Sequence, residues 1–245
     1  MVATMPQLVE LALTAGAATA GICYPVFWPA SKFWGPIISR GRSAAPPRVA
    51  LTFDDGPLPG ATDRILDVLA ELNVKASFFV IGKTARENPR LLLRIHQQGH
   101  IVGNHSFDHI GLGFLCGQNF WHDQIDRTDQ VIEQVIGTWP KLFRPPLGAK
   151  TWMIARAART HTVVTWNRRA RDGIATCSQR ILDRVLPRAR AGDIIALHDG
   201  VSPQSRRDPL VTVAAIRPLV AGLRDRGIEP VRLDELTGVK PYRIE

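Results

Sequence analysis

Two short runs carry residues that could do chemistry. Thr52-Phe53-Asp54-Asp55-Gly56-Pro57 places two adjacent carboxylates at the end of an apolar stretch, followed by turn residues. Neighbouring side chains on an extended chain point to opposite faces, so both can serve one site only if the strand breaks there. One Asp could then face a metal and the other a reacting water; the bland alternative is a polar turn with a helix cap. His105-Ser106-Phe107-Asp108-His109 sets two imidazoles four residues apart. On a helical turn they would share a face and chelate one cation. Without context they could equally be two unrelated surface or core histidines. Adding Asp55 gives a His₂Asp set with an open position, as expected of a catalytic rather than a structural zinc. Cobalt or nickel could bind the same donors.

A Lewis acid with an open position generates a nucleophile from water and polarises a carbonyl. Hydrolysis of an amide or ester then needs a base, an acid and a donor for the oxyanion. Asp54 is the available base and His198 the available acid. Arg144 can pair with a carboxylate and set its orientation, and Asp172 can do the same for an imidazole. Two other groups are set aside. His122 and Asp123 read as capping or surface groups at a helix start. His96 and His100 bracket a helix end, where a cationic side chain meets the dipole.

The elements that must position these residues alternate. Strands are expected at Arg48–Phe53, Lys75–Ile81, His100–Asn104, Leu142–Arg144, Thr162–Trp166, Asp193–Leu197 and Glu229–Leu233. Helical periodicity covers Thr62–Asn73, Asn88–Gln98, Asn119–Ile136, Trp152–Arg159, Cys177–Arg188 and Leu210–Arg226. Strands separated by helices imply a parallel sheet; the pattern leaves open whether it closes into a barrel. In either case chemistry belongs at the C-terminal strand ends. Asp54-Asp55, His105 with His109, Arg144, Asp172 and His198-Asp199 all follow strands.

The chain has 245 residues, with 31 Lys+Arg against 22 Asp+Glu and a net charge of +9. The excess favours anionic surroundings. The basic residues are scattered and form no nucleic-acid motif, so no nucleic-acid partner is expected. Cys23, Cys116 and Cys177 are too few and too far apart for a disulfide framework or a CxxC site. Leu11–Ser31 carries no charge and matches the roughly 20 residues that cross a bilayer as a helix. Pro25 and Pro29 would end such a helix, and Tyr24, Trp28 and Trp34 would form an interfacial belt. A cleaved signal peptide, a lipid anchor at Cys23 and an apolar helix packed on the domain are weaker readings. The expectation is therefore an uncleaved membrane anchor and linker over 1–47, then one catalytic domain over 48–245. Lys32, Arg40 and Arg42 follow the segment and no base precedes it, a pattern that would put the domain in the cytoplasm.

Taken together, Thr52–Pro57, His105–His109, Arg144-Pro145-Pro146 and Leu197-His198-Asp199 resemble the polysaccharide deacetylases of the NodB-homology type, carbohydrate esterase family 4. Order and spacing agree over about Arg48 to Leu236. The resemblance implies an α/β fold, a distorted (β/α) barrel of about seven parallel strands, and metal-dependent removal of N-acetyl groups from an amino-sugar glycan or glycolipid. It implies Asp54 as general base, Asp55, His105 and His109 as metal ligands, and Arg144 as the group orienting Asp54. It further implies that the backbone N–H of Leu147 helps hold the oxyanion, that Asp172 tunes the acid His198, and that Leu197 lines the acetyl pocket. One divalent metal, zinc before cobalt or nickel, is the implied cofactor. The family usually carries an aromatic residue where Leu147 stands and Trp where Gly173 stands. The altered groove could suit a lipid-linked amino sugar, which with the apolar N-terminus would mean membrane contact. Related readings are a lipid-linked amino-sugar deformylase and an inert glycan-binding protein. The substrate class would place the domain outside the cytoplasm, against the charge pattern around the N-terminal segment.

Overall fold

The computed structural model describes residues 24–42, 45–201 and 208–243. Nine strands form one parallel sheet: β1 (Ile37–Ile38), β2 (Arg48–Asp54), β3 (Ser77–Val80), β4 (Ile101–Asn104), β5 (Leu142–Phe143), β6 (Thr162–Val164), β7 (Arg168–Arg169), β8 (Ile194–His198) and β9 (Glu229–Val231). The spatial order is β1-β6-β5-β4-β3-β2-β8-β7, and β9 pairs with the first half of β2. Among the described residues no ladder joins β1 to β7, so the sheet curls into a half-barrel rather than closing. The helices are α1 (Thr62–Glu71), α2 (Gly82–Glu87), α3 (Pro89–Gln97), α4 (Gln118–Ile136), α5 (Trp152–Ala157), α6 (Ser178–Val185), α7 (Leu210–Arg224) and α8 (Leu233–Thr237).

Strand alternation divides the core in two. Val49, Leu51 and Phe53 of β2, with Phe78 and Val80 of β3, point outward. There they meet Ile65, Leu66 and Leu69 of α1 and Ile216, Leu219 and Leu223 of α7. Ala50, Phe79, Ile194 and Ala196 point into the concavity, where Leu233 and Leu236 of α8 plug the lower end. Thr52 and Asp54 share the inward face but lie at the upper end of β2, where the plug stops and a cleft begins.

All seven expected strands are present. The last ends at Val231 rather than Leu233, because Arg232 caps α8 and Leu233 turns into the plug. α2 has no sequence signature: GKTARE is short, polar and without apolar periodicity. Its docking rests on Gly82, where a Cβ would fall 2.5 Å from Thr128 Oγ1 and 2.6 Å from the Phe107 ring.

β1 lies before the domain start read at Arg48, in the segment read as anchor and linker, and pairs with β6. Residues 24–31 also dock on the domain. Val26 is buried and its carbonyl accepts from Lys150 N (2.9 Å). Trp28 O accepts from Lys150 Nζ (2.9 Å), and Pro29 O from Thr165 Oγ1 (2.8 Å). Among the described residues no helix is long and apolar enough to cross a membrane. The rest of the expected anchor, Leu11 to Cys23, lies outside the described residues.

Candidate active site

β2 ends at Asp54, and Asp55 follows with φ 74°. This left-handed residue is the break that lets two adjacent carboxylates face one cleft. The next positions admit no side chain: a Cβ on Gly56 would lie 2.0 Å from Asp199 Oδ2, and one on Gly200 2.1 Å from Asp55 O. The crossing of the ends of β2 and β8 therefore requires glycine twice.

His105 and His109 do not sit on a helical turn, contrary to the expectation from their spacing. They belong to an irregular loop with Ser106 at φ 66° and His109 at φ 49°. The loop is held from outside. The amides of Gly82 and Lys83 donate to Ser106 O (2.9 Å) and Phe107 O (3.0 Å). Gln124 Oε1 on α4 accepts from Phe107 N (3.2 Å) and Asp108 N (2.8 Å). Strained conformations at functional positions persist only where surroundings over-determine them, and five non-glycine residues at or beside this cleft have positive φ: Asp55, Ser106, His109, Leu147 and Arg171.

The loop brings His105 Nε2 to 3.5 Å and His109 Nε2 to 3.3 Å from Asp55 Oδ1. One donor atom from each residue lies within 4.8 Å of the others, and all three residues are buried. His105 Nδ1 lies 2.6 Å from Arg144 O. That carbonyl can only accept, so Nδ1 carries the proton and Nε2 presents its lone pair towards Asp55, the tautomer a metal requires. Burial and the neighbouring His105 push His109 down to about 4, so its ring is neutral at pH 7. Burial alone would raise the Asp55 carboxyl, but the close contact with His105 and the charges that His198, His109 and His105 carry when protonated outweigh it and hold the pKa well below the carboxylate range. Two imidazole nitrogens and one carboxylate oxygen are a donor set that fits a divalent ion.

Arg144, fully buried, reaches across the concavity. Its Nη1 donates to Asp54 Oδ1 (2.7 Å) and Thr52 Oγ1 (2.9 Å), Nη2 to Thr165 O (3.1 Å) and Nε to Val164 O (3.3 Å). Its Cζ stacks 4.0 Å from the Phe79 ring centroid. On the other wall Asp172, also buried, accepts from His198 N (2.8 Å) and Thr212 Oγ1 (2.8 Å) through Oδ2, while Oδ1 lies 2.8 Å from His198 Nδ1. The imidazole is thus fixed in plane with Nδ1 as the donor, which assigns proton transfer to Nε2. Leu147 is the tip of the Pro146–Gly148 turn, with φ 58° and a half-exposed side chain. The turn closes through the amides of Gly148 and Ala149, a pattern that does not consume the Leu147 N–H.

These residues meet in one cleft of about 330 Å³, lined by Asp54, Asp55, His105, His109, Leu147, Trp166, Arg169, Arg171, Gly173, Ile174, Ala196 and His198. Leu197 is not among them. Alternation along β8 turns it to the outer core with Phe53, and Ala196 takes the inward position expected of it. Trp166, at the end of the strand expected over Thr162–Trp166, is buried and also forms part of the cleft wall. Arg169 and Arg171 were not anticipated; their alternate spacing just before Asp172 was the available signal. Nor was the buried pair beneath His105, in which Asp129 accepts from Asn104 Nδ2 (2.7 Å) and lies 2.9 Å from His161 Nε2. His122 and Asp123 stay outside the cleft on α4. His100 is not a cationic helix cap: burial pushes it down to about 3, and its Nδ1 accepts from Ala76 N (3.0 Å).

Residues 41–166 match the family model described as polysaccharide deacetylase. A chitooligosaccharide deacetylase of Sinorhizobium fredii is 38% identical over 200 residues, 78% of this chain and 91% of that protein. A crystal structure of a peptidoglycan N-acetylglucosamine deacetylase superposes with a TM-score of 0.77 at 29% identity, covering 84% of this chain and 95% of the other. A pseudoenzyme of carbohydrate esterase family 4 from Bacillus anthracis superposes at 0.73 with 25% identity, over 82% and 68%. With the candidate metal triad, the Arg144-held Asp54 and the Asp172-held His198 at one cleft by the strand ends, the chain belongs to the polysaccharide deacetylase family.

Proposed function

We propose that this chain is a zinc-dependent hydrolase that removes N-acetyl groups from an amino-sugar glycan, with Asp55, His105 and His109 holding the ion. A divalent cation there supplies Lewis acidity towards water and the amide carbonyl. The observation that carries the reading is the convergence of that triad with two further groups, each tied at one atom and therefore assigned at the other. Asp54 Oδ1 is tied to Arg144, so Oδ2 accepts the proton of the attacking water. The water oxygen bonds to the carbonyl carbon, and the Leu147 N–H donates to the oxygen that becomes negative. His198 is tied at Nδ1 to Asp172, so Nε2 delivers a proton to the leaving amine and the carboxylate stabilises the imidazolium. The products are the free amino sugar and acetate.

Because an inert relative shares the fold, the fold alone does not make the chain an enzyme; the complete set of base, acid and three ligands supports activity. We further propose that the segment before Tyr24 tethers the protein to a membrane, where a lipid-linked amino sugar would meet the cleft. The exposed rings of Tyr24, Trp28 and Phe33 support this. The test is acetate or formate release from a panel of N-acetylated glycans and lipid-linked amino sugars, with and without chelator, for the parent and Asp54→Asn. Asp54→Asn should lose at least ~10²-fold, the lower range for acid–base catalysis, with zinc retained. Glycan binding without release of either acid would leave an inert binding protein. Recovery in the soluble fraction of cells would end the tether proposal.

A further inference from the structure

The run Arg168-Arg169-Ala170-Arg171 is split by its backbone. β7 pairs with β8 through Arg168 and Arg169, so successive side chains leave on opposite sides. Arg168 is spent internally: its Nε and Nη2 lie 3.1 and 3.0 Å from Asp193 Oδ2. Arg169 turns the other way and lines the cleft. Its Cζ lies 5.3 Å from the Trp166 ring centroid, so the guanidinium rests on a rigid aromatic face. Arg171 lines the same wall from a left-handed backbone position (φ 52°), which Arg184 Nη1 secures by donating to its carbonyl (3.0 Å).

Both arginines are exposed. Among the described residues neither guanidinium makes a hydrogen bond or an ion pair. The acids of the cleft have closer partners: Asp54 pairs with Arg144, Asp172 with His198, and Asp55 belongs to the candidate metal triad, so Arg169 meets Asp54 and Asp172 only through space. Two guanidinium groups therefore face the space where the sugar carrying the acetamido group must lie, that of Arg169 held on the Trp166 ring and that of Arg171 carried by a fixed backbone position. A planar guanidinium pairs with carboxylate or phosphate oxygens through parallel N–H donors.

We propose that Arg169 and Arg171 form a subsite for an anionic substituent, a carboxylate or a phosphate, on the sugar being deacetylated or its neighbour. The inference rests on the deacetylase reading and deepens it by naming a charged rather than a neutral glycan as substrate. Arg169 stacked on Trp166 takes over part of the wall that an aromatic at position 173 would have supplied. It replaces ring stacking by charge recognition.

The experiment compares the zinc-loaded parent with Arg169→Gln, Arg169→Glu and Arg171→Gln, all surface changes whose folding is checked by circular dichroism. Probes are diacetylchitobiose (neutral), an N-acetylmuramic acid disaccharide (carboxylate) and N-acetylglucosamine 1-phosphate (phosphate). The parent should prefer one charged probe in kcat/KM. Each Gln variant should cut the charged-to-neutral ratio by at least ~10-fold, chiefly through KM, the lower range for a hydrogen bond to a charged group. Arg169→Glu should abolish the preference, and added salt should weaken it in the parent. The carboxylate and phosphate arms identify which anion is read. An unchanged ratio in all three variants would overturn the subsite. If the parent releases acetate from no probe, the deacetylase reading fails instead. Calorimetric binding of the two charged probes to the parent and Arg169→Glu then decides the subsite: equal affinity overturns it, and at least ~10-fold weaker binding to the variant upholds it.

Discussion

Replacing Arg144 by Met tests the internal logic of the site most directly. The Arg144–Asp54 pair is 2.7 Å apart, with side chains 0% and 4% exposed. At an effective dielectric constant of ~20, two unit charges at that distance attract by about 6 kcal/mol. Much of this offsets desolvation, so the pair itself adds little stability. Breaking it is another matter, because Asp54 would remain as a buried charge, and losses of ~3–5 kcal/mol are typical. The carbonyls of Val164 and Thr165 would lose donors as well, which places Arg144→Met at the upper end of that range. Asp54→Asn should cost less, since Arg144 keeps Thr52, both carbonyls and the Phe79 ring. In Arg144→Met/Asp54→Asn the orphaned charge is gone, so the double variant should be more stable than the sum of the singles by at least ~1.5 kcal/mol. Urea denaturation of the metal-free protein, followed by tryptophan fluorescence, measures all three. Additivity within ~0.5 kcal/mol, the range for independent sites, would refute the claim that Arg144 exists to neutralise and orient Asp54.

Three further expectations concern metal, pH and backbone. His105→Ala and His109→Ala should each remove bound zinc in elemental analysis; full occupancy in either would sink the ligand assignment. His100 titrates near 3 when folded against an ordinary 6.5. Its contribution is therefore complete above pH 6.5 and is lost as pH falls from 6.5 towards 3, amounting to ~2 kcal/mol by pH 5. The stability gap between the parent and His100→Gln should shrink by about that amount between pH 7.5 and pH 5, and a pH-independent gap would contradict the assignment. Gly56→Ala drives a methyl to 2.0 Å from the buried Asp199 carboxylate and should cost ~1–3 kcal/mol in a thermal melt. Gly117→Ala, with φ −72° and nothing within 4 Å of its added Cβ, should meet only the ~0.5–1 kcal/mol penalty of Ala at a helix N-cap; a loss there as large as at Gly56 would refute the packing argument.

Much of the candidate site was legible along the chain. Asp54, Asp55, His105, His109, Arg144, Asp172 and His198 all stand at or after strand ends, and in a parallel sheet the ends of strands gather at one rim. That inference needs only periodicity and residue type. The seven long-range strands could be read for the same reason: alternating β-branched and aromatic runs have few other uses. What failed depended on contacts between distant residues. The helical geometry expected of His105–His109 was wrong because Gln124 on α4 and the first amides of α2 hold that loop in left-handed conformations no local propensity favours. Leu197 was placed in the pocket because a motif does not state which way a strand faces; the pleat of β8 decides that, and it sends Ala196 inward. His100 looked like a cationic cap until its burial against Phe78 made a neutral ring the stable form. β1, β7 and α2 are too short to carry a period, and exist because larger elements offer them edges and surfaces. The sequence alone therefore determined which atoms could react and at which rim of the sheet they would assemble. Only the tertiary structure decided their orientation, protonation and neighbours, because those follow from burial and from hydrogen bonds between residues far apart in sequence, such as the 90 positions from Asp54 to Arg144.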